Sequence, residues 1–167
     1  MKIAIVLGTS GEQGNTHHLV QEFAAQSGAT VFDFSKYDIS YYDYQHHNRN
    51  DDFLPLIKEL TGFDHIVFAT PLYWYSMSAQ MKVFFDRLSD LLTIEKDLGR
   101  SLKGKTTSML STGNNAGFPE CFVEPIRLTA EYMHMPFKGH HYVQTQSEAD
   151  YGKFAEVVDE HLRLIRS

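Results

Sequence analysis

The sequence predicts an α/β fold in which a parallel β-sheet is covered by helices on both faces. Short apolar runs alternate with segments of helical periodicity along all 167 residues. The run at residues 3–7 is continuous and rich in branched side chains, as expected of a strand that is buried on both faces. Three loops of unusual composition follow such runs. Loops of this kind meet at the carboxyl edge of a parallel sheet, where ligands bind. We therefore expect one domain, residues 1–167, with one binding site at that edge.

Each element has its own signal in the sequence. The strands are predicted at residues 3–7, 30–34, 65–69, 105–111 and 139–145. A first helix begins near Asn15, which stands where a cap is expected, and a second follows Asp52. Ser78 opens a helix whose apolar stripe extends to Leu92. A helix at 119–133 contains Pro125, which must start or kink it, and a last helix spans residues 154–165.

The bulk composition excludes several classes of partner. The chain has 15 basic and 21 acidic residues, hence a net charge of −6, which argues against nucleic acid or an anionic membrane surface as a partner. No apolar stretch is long enough to span a bilayer. Cys121 is the single cysteine, so neither a disulfide framework nor a cysteine-ligated cluster is expected, and the cytoplasm is the predicted location.

The loop at residues 8–16 is typical of a phosphate site. Glycines at every third position, ending with Gly14, let the main chain approach an anion, and the following helix start favours negative charge. Ser10, Asn15 and Thr16 add side-chain donors, and His17 is a further candidate beside the loop. The loop has no lysine or arginine, so binding would depend on neutral dipoles. The alternative is a tight turn followed by a helix cap.

The loop at residues 70–78 is suited to a flat ring. Pro71 is expected to end the third strand, and three consecutive aromatic residues, 73–75, cannot all point into a core. A planar isoalloxazine needs an apolar wall and main-chain donors at its edge. Flavin mononucleotide (FMN) carries both a phosphate and such a ring. The loops together therefore predict FMN as the ligand.

These stretches resemble the NADPH-dependent FMN reductase family of flavodoxin-like proteins. The resemblance rests on residues 8–16, 69–87 and 111–113. It implies a five-stranded parallel sheet in the order 2-1-3-4-5, bound FMN, NAD(P)H as electron donor, and a homodimer or homotetramer whose partner subunit helps to enclose the flavin. It also implies roles for three groups of residues. The phosphate would be held by Thr9, Ser10, Asn15 and Thr16, the ring flanked by Pro71, Leu72, Tyr73 and Trp74, and its other edge met by Ser111, Thr112 and Gly113.

Other residues are not expected to carry chemistry. Relatives with an iron–sulfur cluster have closely spaced cysteines after the second strand, and residues 39–50 contain none. The three adjacent histidine pairs diverge on either helix or strand, so no metal is expected. Asp86 and Arg87 are candidates for a salt bridge or a subunit contact. No catalytic side chain is predicted, because hydride transfer to a flavin needs no acid–base pair.

The predicted function is an FMN-dependent NAD(P)H oxidoreductase that passes electrons to a small acceptor, such as a quinone, an azo or nitro compound, or free flavin. The alternative is a flavodoxin-like electron carrier that serves a protein partner, and a third interpretation is a flavin-free binding module. The tyrosine-rich segment, residues 37–44, is interpreted either as a lid or as a surface loop packed on its own aromatics.

Overall fold

The computed structural model describes residues 1–167 and contains one five-stranded parallel sheet in the order β2-β1-β3-β4-β5, which confirms the predicted fold class. The strands are β1 (Ile3–Leu7), β2 (Thr30–Asp33), β3 (His65–Pro71), β4 (Thr106–Gly113) and β5 (Phe137–Gln144). The helices are α1 (Asn15–Ser27), α2 (Phe53–Leu60), α3 (Ala79–Arg87), α4 (Asp90–Thr93), α5 (Lys96–Arg100), α6 (Glu120–Tyr132) and α7 (Phe154–Arg166). Two 3-10 helices, Phe34–Lys36 and Glu148–Lys153, complete the chain.

Side chains of the central strands alternate between two apolar cores. In β1, Ala4 and Val6 join the core formed with α2, α3 and α6, whereas Ile5 and Leu7 join the core formed with α1 and α7. This alternation buries both faces of the sheet, as the continuous apolar run predicts. None of the helices has the length and apolarity that a membrane crossing requires.

Strand β3 ends at Pro71 rather than Ala69, because β4 continues beside it. Pro71 pairs with Thr112, and the next N–H, that of Leu72, donates to the Thr112 carbonyl at 2.8 Å. Since successive residues of a strand bond to opposite sides, the nitrogen of Pro71 faces the side of β1, which has already ended at Leu7. The proline therefore removes no ladder hydrogen bond.

Several other boundaries differ from the predicted ones. Strand β2 stops at Asp33, whose carboxylate accepts from the Ser35 N–H at 3.0 Å and starts a 3-10 turn. Strand β5 starts at Phe137, and Gly139, with φ of 142°, lies inside it where the β4–β5 register shifts. Helix α6 starts at Glu120, so Pro125 lies within the helix and does not start it.

The predicted helix is interrupted after Arg87, where hydrogen bonds between residues three apart lead from α3 into α4. The Arg87 side chain is fully buried, and its Nε donates to Asp90 at 2.9 Å. It also pairs with the Asp51 carboxylate, which lies on the segment that follows β2. Asp86 and Arg87, candidates for a salt bridge or a subunit contact, both form salt bridges but not with each other, because Asp86 pairs with Lys82. Arg87 thus fixes the long β2–α2 segment against the helical layer.

A chain of hydrogen bonds among histidines crosses the core beneath α7. His65 Nε2 and His161 Nε2 lie 2.7 and 2.8 Å from the Ser108 hydroxyl, and the Nδ1 atoms of His161 and His141 are 2.9 Å apart. Burial lowers the pKa of His65 to about 4 and the pKa of His161 to about 3. Burial likewise lowers the pKa of His140 to about 3. These three side chains stay neutral in the folded protein at pH values where the unfolded chain protonates them.

We expect mild acid to destabilise the protein through these histidines. The unfolded chain binds protons near pH 6.5, whereas the folded protein does so only well below that pH. The free energy of unfolding should therefore fall below about pH 6.5, by about 1 kcal/mol per pH unit for each histidine. Urea unfolding between about pH 7.5 and about pH 5 measures this slope. His161→Gln should reduce the slope, and His47→Gln, whose side chain is 80% exposed, should not. An equal slope in all three proteins would contradict this assignment.

Candidate functional site

The loops after β1, β3 and β4 enclose one cleft of about 610 Å³ at the carboxyl edge of the sheet. Ten of the thirteen sequence-predicted residues line this cleft: Thr9, Gly14, Asn15, Thr16, Pro71, Leu72, Tyr73, Trp74, Thr112 and Gly113. No Asp, Glu, His, Lys or Arg is among the lining residues. The cleft can therefore bind a ligand through main-chain dipoles, hydroxyls and aromatic surface, and it offers no carboxylate or imidazole for acid–base chemistry.

The first loop, residues 8–16, presents unpaired main-chain donors. None of residues 12–17 donates its N–H to an acceptor in the protein, and the first amide of α1 that does so is His18, which donates to the Gly14 carbonyl at 3.1 Å. Of these residues, Gly14, Asn15 and Thr16 line the cleft, at the positive end of the 13-residue helix α1. Such an arrangement suits a phosphate without any basic side chain.

Asn15 has a different role from the predicted helix cap. The cap residue is Gly14, which has no side chain, and Asn15 is the first residue of α1. The Asn15 side chain donates to the Thr145 carbonyl at 3.3 Å and accepts from the Tyr151 hydroxyl at 2.9 Å. Asn15 therefore ties the first loop to the segment after β5, and the main-chain N–H groups stay free for a ligand.

Buried hydroxyl groups lock the three loops together. Thr16 Oγ1 lies 2.7 Å from Thr112 Oγ1, which joins the first loop to the third. The Ser78 hydroxyl donates to the Gly8 carbonyl at 2.7 Å and accepts from the Met81 N–H at 3.1 Å, so it joins the first loop to α3. A Cβ at Gly8 would lie 2.9 Å from the Met81 nitrogen, which only glycine avoids. As predicted, Ser78 caps α3.

The second loop is a tight hairpin with strained residues at its tip. Tyr73 and Ser76 exchange main-chain hydrogen bonds of 2.9 and 3.0 Å. Between them, Trp74 and Tyr75 have φ angles of 47° and 67°, a conformation that usually requires glycine or asparagine. The Trp74 side chain is 95% exposed. A bulky pair held in this conformation on the rim of a cleft indicates a functional constraint.

Three of the predicted residues lie outside the cleft lining. The Ser10 hydroxyl contacts the Gln80 amide at 3.2 Å, and the Ser111 hydroxyl is 2.6 Å from His140 Nε2, on the sheet side of the strand. His17 lies in the first turn of α1, and its buried Nδ1 has no hydrogen-bond partner. The roles predicted for these side chains thus lack support from their positions.

Four lining residues have no counterpart among the predicted ones: Gly11, Tyr75, Asn114 and Asn115. Gly11, Tyr75 and Asn114 directly adjoin predicted site residues, and Asn115 follows Asn114, so the continuity of the loops could have indicated them. Gly113 itself is required at its position, because a Cβ there would lie 2.6 Å from the Tyr142 hydroxyl. No group of three or more His, Cys, Asp or Glu residues is placed to hold a metal ion.

Comparison with known proteins identifies the family of this chain. The model of the NADPH-dependent FMN reductase family matches residues 1–150, which include all three loops. A protein of Bacillus subtilis strain 168, YwqN, whose name describes an NAD(P)H-dependent FMN-containing oxidoreductase, is 27% identical over 152 residues, covering 84% of this chain and 83% of that protein.

Solved structures share the fold. The Trp repressor binding protein of Bacillus subtilis superposes with a TM-score of 0.76 at 21% identity, covering 98% of this chain and 97% of that one. General stress protein 14 of Treponema denticola, in complex with FMN, superposes with a TM-score of 0.67 at 19% identity, covering 99% and 98%. Since the family match extends over most of the chain and includes every loop of the cleft, the chain belongs to the NADPH-dependent FMN reductase family and is an FMN-dependent NAD(P)H oxidoreductase.

Proposed function

We propose that the cleft holds FMN with its phosphate at the first loop and its ring against the second and third loops, and that the enzyme passes electrons to a small-molecule acceptor. The acceptor class we propose is a quinone, an azo or nitro compound, or free flavin. The observation that carries the proposal is that Gly14, Asn15 and Thr16, whose N–H groups have no partner in the protein, line the same cleft as the exposed aromatic hairpin. FMN, when bound, supplies the hydride chemistry with NAD(P)H as donor.

The residues of the chain then act by binding and orienting. Main-chain donors of the first loop neutralise the phosphate, supported by the dipole of α1. Pro71, Leu72 and Tyr73 give an apolar wall for the ring. Because no titratable carboxylate or imidazole lines the cleft, negative charge on the ring is stabilised by fixed dipoles alone.

We further propose that residues 1–167 act as one FMN-binding unit in the cytoplasm, and that a partner subunit of a homodimer or homotetramer covers the rim of the cleft. The support is the exposure of Trp74 and Tyr75, which are 95% and 59% exposed. Both residues line the cleft that would hold the flavin ring. Large aromatic side chains at such exposure favour a contact surface.

Turnover of the FMN-loaded protein tests the proposed function. We expect the purified chain to show flavin absorbance after addition of FMN, and to oxidise NADH or NADPH when quinone, azo, nitro or flavin acceptors are present. Reduction of the bound flavin by NAD(P)H should keep pace with turnover. Flavin binding with slow reduction by NAD(P)H would favour an electron carrier instead. Absence of flavin absorbance would contradict the proposal itself.

Replacing Asn15 with proline measures the contribution of one main-chain N–H at the start of α1 to phosphate binding. Asn15 is the first helical residue and follows Gly14 at φ −80° and ψ 175°, so proline fits there without strain. Asn15→Pro removes the side chain and the N–H, whereas Asn15→Ala removes the side chain alone. A hydrogen bond to a charged group is worth about 1.5–3 kcal/mol, so Asn15→Pro should bind FMN about 10- to 100-fold more weakly than Asn15→Ala.

Riboflavin, which lacks the phosphate, is the control ligand for this pair. Fluorescence quenching should give equal riboflavin affinities for Asn15→Pro and Asn15→Ala. If the two variants also bind FMN equally, the phosphate does not lie at the start of α1.

Relieving the backbone strain at the hairpin should increase the free energy of unfolding and weaken FMN binding. Replacing Trp74-Tyr75 by Asn-Gly places residues that favour positive φ at both positions. We expect the free energy of unfolding to rise by about 1–3 kcal/mol, because each strained residue costs an amount of that order. FMN affinity should fall, since two aromatic side chains that line the cleft are lost. Urea unfolding and FMN titration measure the two effects.

The double variant Trp74→Ala/Tyr75→Ala is the matched control, because it loses the aromatic rings but keeps side chains that disfavour positive φ. It should bind FMN as poorly as the Asn-Gly variant without the gain in stability. Equal stability of the two variants would show that the hairpin stores no strain.

A further inference from the structure

A second, smaller cavity lies between the segment that follows β2 and the start of α3. Its volume is about 250 Å³. Six of its seven lining residues are apolar or aromatic, among them Phe34, Tyr37, Ile39 and Tyr41, and the seventh is Gln80. None of the seven carries a charge. The cavity therefore suits a flat, uncharged group that has a few polar atoms at its edge.

Gln80 connects this cavity to the cleft. Its side-chain amide donates to the Ser10 hydroxyl at 3.2 Å, and the two neighbours of Ser10, Thr9 and Gly11, line the cleft. The N–H groups of Ala79 and Gln80, the first two residues of α3, have no acceptor in the protein. The boundary between cleft and cavity thus offers uncharged hydrogen-bond donors.

Tyr41 is an exposed aromatic residue on a main chain that is held in place. The Ser40 N–H donates to the Asp51 carboxylate at 2.9 Å, and the Ser40 carbonyl accepts from Arg87 at 3.0 Å. The Tyr41 carbonyl accepts from the Asn48 side chain at 2.6 Å. Nevertheless, Tyr41 is 81% exposed. A large aromatic ring on a fixed main chain offers a stacking surface that needs little further ordering when a ligand binds.

We propose that this cavity binds the adenosine end of NAD(P)H, with the adenine stacked on Tyr41, while the nicotinamide end reaches the cleft. The diphosphate that joins the two ends crosses the boundary at Gln80. Because no charged side chain lines the cavity, this subsite recognises the base and does not distinguish NADH from NADPH. The inference rests on the proposed function, in which FMN occupies the cleft.

The tyrosine-rich segment supplies a matched control for Tyr41. Tyr44 is also 81% exposed and lies three residues further along the same segment, but it does not line the cavity. Its ring packs against Tyr42, with centroids 5.1 Å apart. Truncation of Tyr41 or of Tyr44 therefore removes a similar exposed side chain, and only the first removes part of the proposed adenosine site.

The test compares electron donors with and without the adenosine end. Anaerobic stopped flow follows flavin reduction in the FMN-loaded wild type, Tyr41→Ala and Tyr44→Ala. The donors are NADH, NADPH and reduced nicotinamide mononucleotide, which has the nicotinamide end alone. The dependence of the rate on donor concentration gives an apparent dissociation constant and a limiting rate for each donor.

We expect Tyr41→Ala to raise the apparent dissociation constants of NADH and NADPH about fivefold to tenfold, because the stacking of a base on an aromatic side chain is lost. The limiting rate should stay the same, since the lost contact is not with the reacting ring. Reduction by reduced nicotinamide mononucleotide should be equal in all three proteins. Tyr44→Ala should match the wild type with every donor.

AMP, which carries the adenine without the nicotinamide, provides a test that needs no variant. It should inhibit reduction of the wild type by NADH competitively and leave FMN bound. Tyr41→Ala should weaken this inhibition, and Tyr44→Ala should not.

Three results would overturn the inference. The first is a Tyr41→Ala protein with the NADH and NADPH dissociation constants of the wild type. The second is an equal loss for reduced nicotinamide mononucleotide, which would place the effect at the nicotinamide end. The third is an absence of competition by AMP. In each case, reduction of the FMN-loaded wild type by NAD(P)H would leave the proposed function intact, whereas failure to bind flavin would overturn both proposals.

Discussion

The site depends on main-chain N–H groups that the fold leaves without partners at the carboxyl edge of a parallel sheet. The first N–H groups of a helix have no acceptor within the helix, and residues beyond the end of a strand have no neighbouring strand to pair with. None of residues 12–17 donates its N–H within the protein, and Gly14, Asn15 and Thr16 of this segment line the cleft. Unpaired amides attract any anion, so their value for recognition depends on how rigidly the loops hold them.

That rigidity comes from short polar side chains buried between the loops. The Thr16–Thr112 hydroxyl pair and the Ser78–Gly8 hydrogen bond join all three loops, so a shift in one displaces the others. The rest of the fold supports this arrangement from below, with two apolar cores on the faces of the sheet. The hairpin at Trp74 and Tyr75 is the exception, because its backbone is strained and its side chains remain exposed.

Much of this arrangement follows from sequence patterns that act locally. The apolar runs located all five strands, and glycine spacing and the aromatic cluster located two loops, because strand burial and turn geometry depend on neighbouring residues. Local sequence patterns did not predict the features that depend on residues far apart in the chain. Arg87 is buried in an ion pair with Asp51, 36 residues away, and no local pattern predicts that contact. Pro71 stays in its strand because β1 ends first.

The orientation of individual peptide groups could not be predicted from the sequence either. Asn15 has the residue type of a helix cap, yet its side chain binds the segment after β5 and the capping position belongs to Gly14. In the third loop, the Asn114 carbonyl accepts from the side chains of glutamines 30 and 32 residues further along the chain. Side-chain patterns do not encode which way a carbonyl points, so the amides that form the site became visible only in the folded structure.

Amide NMR of the ¹⁵N-labelled protein during flavin titration tests the central claim most directly. If main-chain donors hold the ligand, FMN should shift the amide protons of residues 12–17 and 114–115 downfield and slow their exchange with water. Riboflavin should affect residues 114–115 and leave residues 12–17 nearly unchanged. Unchanged amides in both segments on saturation with FMN would contradict binding by main-chain donors.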